Sequence, residues 1–419
     1  MLEQPFTFPC GLTIGNRIAK ASMTERLAEP DGTPGIKLLR LYQAFAKGGA
    51  GLILSGNVAV DPDHLEGYGN MTSEHLPGSA FAELARHAQV GSARMLLQLN
   101  HPGRQAMRDV DSAPVAPSAV PLQAKRFFAM PREMTDGEIV SLIARFAEAA
   151  EGAERAGFAG VEIHAAHGYL LSQFLSPNIN RRTDRWGGDI AGRARLLHQV
   201  ICAVRARVGK GFAVGIKLNA GDFVSGGLAL EDVAAVAKTV SKEQIDFIEL
   251  SGGTFERPAS FGYGLSPSTA KREGYFIEMA RIVRDSTAVP MIVTGGFRTR
   301  DGMESALQSG ACDLVGLARP LALAPDLPAR LLDGSVEYGS VADLRLPRGP
   351  AASLAELSWY REQLLAISKG GSPRVRGNGS VALIRTLLRD RWLKFKHVRY
   401  RNRRPAAARP LPGVASRQP

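Results

Sequence analysis

The stretch EIVSLIARFAEAAEGAERAGFAGVEIH spans residues 138–164. Its first twenty residues set apolar side chains three and four apart, the spacing of one helix face. Its end, GFAGVEIH, alternates as a strand does, with side chains on opposite faces. A helix running directly into a β-run is one step of a repeating α/β pattern, and the step recurs along the chain. Strand-like runs fall at NRIAKASM (16–23), AGLILSG (50–56), ARMLLQLN (93–100) and GFAGVEIH (157–164). Four more follow at GFAVGIKLN (211–219), IDFIELSGG (245–253), VPMIVTGG (289–296) and CDLVGLARP (312–320). Helical patterns such as LLRLYQAFAKGG (38–49), RARLLHQVICAVRARVG (193–209), LEDVAAVAKTV (230–240) and YFIEMARIVRDS (275–286) lie between them.

Strand–helix alternation predicts parallel strands covered by helices. Eight such units predict an α/β chain folded as a (β/α)8 TIM barrel over residues 1–340. The alternative is a doubly wound open sheet, which usually carries G-x-G-x-x-G after its first strand. That motif is absent here. Two connections, 101–134 and 254–274, are longer than ordinary loops. Both leave the C-terminal ends of strands, where barrel enzymes build their sites, and both read as site walls. Beyond the barrel, SLAELSWYREQLLAISKGG (353–371) reads as one further helix. Residues 341–404 form a basic helical extension, and the Pro/Ala/Arg-rich residues 405–419 read as a disordered tail.

The net charge of +12 suggests nucleic acid until it is divided. From residue 341 onward there are 17 Lys+Arg and 4 Asp+Glu, whereas residues 1–340 carry 35 basic and 36 acidic side chains. The body is neutral and the basic character belongs to the extension. Within 381–404, Val381, Ile384, Leu388, Trp392, Phe395 and Val398 recur at helical steps among Arg385, Arg389, Lys394 and Lys396. Such a helix can dock on its own barrel or on a neighbouring copy in a homo-oligomer. It can also lie on an anionic membrane surface. Nucleic acid ranks below these, because no nucleic-acid-binding fold accompanies the charge. The start MLEQPFTFPC lacks the basic and apolar regions of a secretion signal, and no apolar run is long enough for a membrane span. Cys10, Cys202 and Cys312 are too scattered for a disulfide framework, a metal motif or an iron–sulfur site. The expected setting is the cytoplasm, or the inner face of a membrane if the extension touches one.

After the fourth strand comes HAAHGYLLSQFLSPNINRRTDRWGGD (164–189). His164 ends the strand and His167 and Tyr169 follow in the loop, so a barrel sets all three at its mouth. Two imidazoles can donate to an oxygen that gains negative charge, and a tyrosine can give up a proton. The set suits a reaction that turns a carbonyl into an enolate and protonates the next carbon. The plainer alternatives are satisfied polar residues at a strand end, or half of a metal site. No other ligand cluster in the sequence completes a metal set, so no metal is expected.

The whole stretch resembles the old yellow enzyme family of flavin-dependent ene-reductases, and the resemblance extends over roughly residues 3–335. It implies a non-covalently bound FMN and NAD(P)H as hydride donor, with no iron–sulfur cluster. It implies that His164 and His167 hold the carbonyl oxygen of an electron-poor alkene or carbonyl substrate. Hydride then passes from the flavin to the β-carbon and Tyr169 protonates the α-carbon. LLQLNHPGR resembles the family's Q-L-x-H-x-G-R segment and assigns Gln98 to the flavin's pyrimidine edge. Lys217 stands where the family keeps a cation near N1 and C2=O. Gly295, Gly296, Ala318 and Arg319, at the ends of strands seven and eight, would hold the phosphate. In NRIAKASMTER, Met23 and Thr24 would touch the ring, while Ser22 replaces the family's Pro. Arg26 falls where some members face the substrate; it would favour an acidic substrate or else pair with Glu25 or Asp31. Gly56, Asn57 and Val58 replace the usual Glu-Ala-Thr and leave Asn57 to line the flavin. Arg181, Asp184, Arg185 and Asp189 read as a network that locks the loop. A tRNA dihydrouridine synthase, another flavin barrel, is a rival, but no cysteine lies in the loop after strand three. A scaffold tethered by its tail is a second rival.

Overall fold

In the computed structural model of the protein, residues 1–124, 126–263, 273–348 and 351–403 are described. Residues 264–272 of the second long connection and the tail 405–419 lie outside them. Eight strands follow in chain order: Ile18–Lys20, Leu52–Ala59, Arg94–Asn100, Gly160–Ala165, Ala213–Asn219, Phe247–Ser251, Met291–Thr294 and Leu314–Leu317. Each pairs in parallel with the next. The eighth returns to the first through Val315↔Ile18, Gly316↔Ala19 and Leu317↔Lys20. The sheet therefore has no free edge, and the open-sheet alternative falls. Each expected strand is present, shortened by one to three residues at most ends and lengthened past Gly56 in the second.

Alternation along the strands sorts the interior. Ala19, Leu52, Leu54, Leu96, Ala213, Phe247, Ile292 and Leu314 form an apolar floor, with Phe8 and Ile14 in the same cluster. Those two come from or beside a short antiparallel hairpin, Phe6–Thr7 with Thr13–Ile14, which closes the bottom of the barrel. Gly215 is required in this layer, because a Cβ there would lie 2.1 Å from the Phe247 ring. One step up each strand the side chains become polar: Gln98, Glu162, Lys217, Glu249 and Thr294.

The helices form because their ends are capped and one face is apolar. Asp136–Arg155 starts at Thr135, whose hydroxyl and backbone exchange hydrogen bonds with Glu138 in a capping box. Ile190–Arg207 starts at Asp189, whose carboxylate accepts from Gly192 N–H at 2.8 Å. Asp184 accepts from Trp186 N–H, and Asp136 accepts from the Trp186 indole at 2.7 Å and from Arg185. The loop lock is thus real, with one correction: Arg182, not Arg181, is the cation inside it. Its guanidinium reaches Asp184, Pro117 O and Met134 O, whereas Arg181 enters the network through its backbone N–H to Ser118.

The extension consists of helices Ala351–Ser368 and Gly379–Arg403, joined by a short parallel pairing of Asp343–Arg345 with Arg376–Asn378. It packs across the rim of the barrel. Among the described residues no helix is long and apolar enough to cross a membrane.

Thr135→Ala removes one half of the capping box. It is expected to cost about 1 kcal/mol of stability, read as a lower denaturation midpoint with an unchanged m-value.

Candidate active site

The C-terminal mouth of the barrel opens into a cavity of about 330 Å³. Its walls include Met23, Thr24, Asn57, Gln98, His164, His167, Tyr169, Lys217, Gly295, Gly296, Ala318 and Arg319. Every site residue expected from the sequence converges here except Arg26.

His164 is buried at the end of the fourth strand. Its Nδ1 accepts the N–H of Ala166 at 3.2 Å. A nitrogen that accepts is unprotonated, so the ring proton of the neutral imidazole sits on Nε2. Burial, and then His167 and Lys217, hold its pKa well below the ordinary histidine value, so it stays neutral. His167 lies in the left-handed region with φ 58°. That backbone turn is pinned by its N–H to Asn219 Oδ1 at 3.0 Å and by its carbonyl accepting from Gln105 at 2.9 Å. Its Nε2 pairs with the Ser251 hydroxyl at 3.1 Å. Burial, with Lys217 next, pulls its pKa down to about 3. The two rings stand edge to face, 5.3 Å apart, and the Tyr169 ring lies 4.8 Å from His164. Burial, followed by the charge of Glu66, pushes the Tyr169 phenol above its usual value. It therefore keeps its proton and is not a phenolate.

Below them runs a polar layer. Gln98 donates to Glu162 at 2.5 Å and accepts from Ser22 at 2.7 Å. Ser22, a departure from the family's Pro, thus orients the Gln98 amide. Lys217 Nζ lies 2.6 Å from Glu249 Oε1, which also accepts from Thr294 at 2.6 Å. At the far end of the cavity Gly295 and Gly296 take φ 152° and 81°. Only glycine adopts such angles freely, and without side chains their backbone forms the wall. Arg319 stacks on Phe261 and pairs with Glu356 at 3.1 Å.

Two residues that sequence reasoning missed complete the rim. Glu66 accepts from Asn57 at 2.9 Å and from Thr24 at 3.3 Å, beside Tyr169. Arg361, from the extension, donates to Glu66 at 3.2 Å and to Thr24 O at 3.2 Å. Leu354, Leu357, Tyr360 and Leu364 of the same helix also line the cavity. Arg26 turns away, bonding Tyr68 O at 3.0 Å and Asp390 at 3.0 Å. Its partner is neither Glu25 nor Asp31. Sequence spacing also missed two groups of metal-ligand type, Asp61/His64/His101 and His198/Cys202/Glu243. Neither contains His164 or His167.

The residues present fit a flat, anionic, phosphorylated ring system. An amide is set at one edge, a cation beneath, and glycine backbone with an arginine at the far end. The sequence profile of the NADH:flavin oxidoreductase / NADH oxidase family matches residues 2–337. The chain belongs to this family. Membership makes it an oxidoreductase using a flavin, FMN, with NAD(P)H as hydride donor, and sets aside the scaffold and tRNA-modifying readings. It is 38% identical over 369 residues to NADH-dependent flavin oxidoreductase iliE of Hypocrea jecorina (strain QM6a), covering 82% of this chain and 92% of that one. It is similar in structure to the old yellow enzyme homologue from Zymomonas mobilis, at TM-score 0.69 and 27% identity over 81% of this chain and 94% of that one. It is also similar to morphinone reductase solved with tetrahydroNAD, at TM-score 0.66 and 26% identity over 80% of this chain and 91% of that one.

Arg361→Ala leaves Glu66 without its cation in a site largely shielded from water. It is expected to cost roughly 3 kcal/mol, and a second change, Glu66→Gln, is expected to return most of it. Chemical denaturation of the single and double variants checks this.

Proposed function

We propose that the chain is an ene-reductase acting on electron-poor alkenes conjugated to a carbonyl or nitro group. The observation that carries this is the His164 ring. Its Nδ1 is occupied by Ala166 N–H, which leaves Nε2–H to donate, and the ring lines the cavity. When bound, the flavin supplies the hydride it has received from NAD(P)H. The protein supplies the rest. His164 donates to the substrate oxygen from Nε2. His167, with Nε2 matched to Ser251, donates from Nδ1. Both are neutral, so they polarise the carbonyl without surrendering a proton to it, and each such donor is worth roughly 3 kcal/mol or more at developing negative charge. Tyr169 delivers the proton to the α-carbon. Glu66 next to it opposes loss of that proton, and Arg361 offsets the opposition. Gln98 and Lys217 would hold the flavin's pyrimidine side, and Gly295, Gly296, Ala318 and Arg319 its phosphate. Morphinone reductase, similar in structure, has been solved with tetrahydroNAD, which supports a nicotinamide cofactor as the hydride donor here.

Absorption spectroscopy with a para-substituted phenol tests the oxygen-holding pair. A long-wavelength charge-transfer band is expected with the wild-type protein and not with His164→Ala. Tyr169→Phe is expected to slow alkene reduction 10²–10⁴-fold while flavin reduction by NAD(P)H is retained. Equal loss of both half-reactions in stopped flow would remove the proton-donor role.

For the extension we propose contact with an anionic membrane surface. Its last helix is built inside out. The polar side chains Arg389, Asp390 and His397 face the barrel, bonding Arg26 O, Arg26 and Pro30 O. Ile384, Leu388 and Phe395 point outward at 59%, 61% and 63% exposure, with Trp392 between them. Arg385, Arg391 and Arg399 are exposed alongside. The one acid of the helix, Asp390, is consumed by Arg26. Arg385 pairs with Glu362 at 3.6 Å; two such faces brought together would oppose the remaining arginines, whereas anionic headgroups pair with them and take the apolar stripe. Sedimentation with phosphatidylcholine vesicles, with and without phosphatidylglycerol, decides it. Binding is expected only to the anionic vesicles, weaker at high salt, and at least tenfold weaker in Ile384→Asp/Phe395→Asp. A wild-type chain that ignores both vesicles overturns the proposal; a dimer split by the same substitutions would show that the face pairs two copies.

A further inference from the structure

The polar layer under the mouth holds two buried carboxyl groups and one lysine. Glu162 and Glu249 are both fully buried. They stand on the fourth and sixth strands, with Gly215 and Lys217 of the fifth between them; Glu162 is level with Gly215, and Glu249 with Lys217. The Phe247 ring fills the space beside Gly215, and the two carboxyl groups come within hydrogen-bond reach of each other. One oxygen of each is accounted for. Glu162 Oε2 accepts from Gln98, and Glu249 Oε1 accepts from Lys217 and Thr294. The other oxygens, Glu162 Oε1 and Glu249 Oε2, are buried with no donor in reach. Two acceptors left facing each other in a low-dielectric interior are repulsive, and two ionised carboxylates with Lys217 leave an uncompensated charge, because the other buried cation, Lys20, donates to Leu54 O and has Glu25 as its strongest opposite charge. A single proton between them removes both problems.

We propose that Glu162 and Glu249 share one proton, held mainly on Glu162, so that Lys217, Glu249 and Glu162 together carry no net charge beneath the flavin. The directions of titration agree. Burial, then the charge of Glu249, lifts Glu162 well above the carboxylate range. Burial opposes ionisation of Glu249 too, but Lys217 and hydrogen bonds from Glu162, Lys217 and Thr294 outweigh it and keep Glu249 low. The consequence is functional. A bare lysine at this place would favour the reduced, anionic flavin strongly. Glu249 cancels much of that pull, and Glu162 withholds a second negative charge that would overturn it. The pair is therefore a positioning device that sets the flavin's potential through Lys217 and never touches substrate. This rests on the reading that the cavity holds flavin over Lys217.

The test compares Glu162→Gln and Glu249→Gln, both near in shape. Glutamine at 162 mimics the protonated acid. At a fixed potential its ratio of reduced to oxidised flavin is expected to stay within about twofold of wild type. Glutamine at 249 removes a real charge, and the same ratio is expected to rise at least tenfold, about 30 mV for a two-electron couple. Equal shifts in the two variants would mean that both groups are ionised, and a shift in Glu162→Gln alone would place the proton on Glu249; either overturns the proposal. A second readout needs no flavin. Infrared spectra of the wild-type apoprotein at neutral pH should show the carbonyl stretch of one buried protonated acid, lost in Glu162→Gln. A wild-type spectrum without that band sinks the shared proton whatever the cofactor does, whereas the band present in a protein that takes up no added FMN would sink only the flavin reading.

Discussion

The site exists because a three-residue strand closes a sheet. Ile18–Lys20 bonds the second strand on one side and the eighth on the other. Around that ring, Asn57, Gln98, His164, Lys217, Ser251, Thr294 and Gly316 come from seven successive strands, with Met23 and Thr24 just beyond the first. In an open sheet the same alternation would spread them along one face. Closure turns a row into a ring, and parallel register sets the height of each member. Lys217 stands level with His164 on one side and Glu249 on the other, and Gln98 stands level with Glu162. A slip of one residue in any of these strands would turn its polar side chain out among the helices.

Height within the barrel then decides chemistry. The floor is apolar and plugged by Phe8 and Ile14, so it supplies cohesion and excludes water from below. The next layer up is charged and hydrogen-bonded, an expensive arrangement unless every group is matched. Here the match is close: Gln98 bridges Ser22 and Glu162, and Glu249 receives both Lys217 and Thr294. Above it sit the imidazoles, each with one nitrogen already committed. The bonds of Ala166 N–H to His164 Nδ1 and of Ser251 to His167 Nε2 fix both rings in the cavity wall.

What could be read from the sequence was local. Strand alternation, the apolar spacing along the helices, and the spacing of His164, His167 and Tyr169 are all patterns among residues a few positions apart. What could not be read joins distant segments. Glu66 and Arg361 are 295 positions apart, and Arg361 meets Thr24 across 337. No periodicity marks either residue, because each is one polar side chain in an otherwise ordinary stretch. Arg26 is instructive in the same way. Its place in the chain suggests a substrate contact, but a partner 364 residues later, Asp390, draws it outward. The choice between Arg181 and Arg182 fails for a different reason: neighbours on an irregular loop point in opposite directions, and only backbone geometry says which enters the network.

The extension shows how far composition can mislead about a single part. Its excess of positive charge reads as one basic surface, yet the structure divides that charge by depth. Arg361 lies inside the site, paired with the Glu66 carboxylate beside Tyr169. Arg389 is spent at the rim, capping the carbonyl of Arg26, while Asp390 takes that residue's guanidinium. Only Arg385, Arg391, Arg399 and their neighbours remain outside, beside the apolar stripe. One helix therefore reaches into the catalytic cavity and its successor presents an apolar face to the surroundings, with both braced on the same loop after the first strand. Whatever covers the outer face bears on the loop after the first strand, which the last helix meets through Asp390 and Arg26 and the inner helix through Arg361 and Thr24. The inner helix is thus as much a wall of the site as any loop of the barrel.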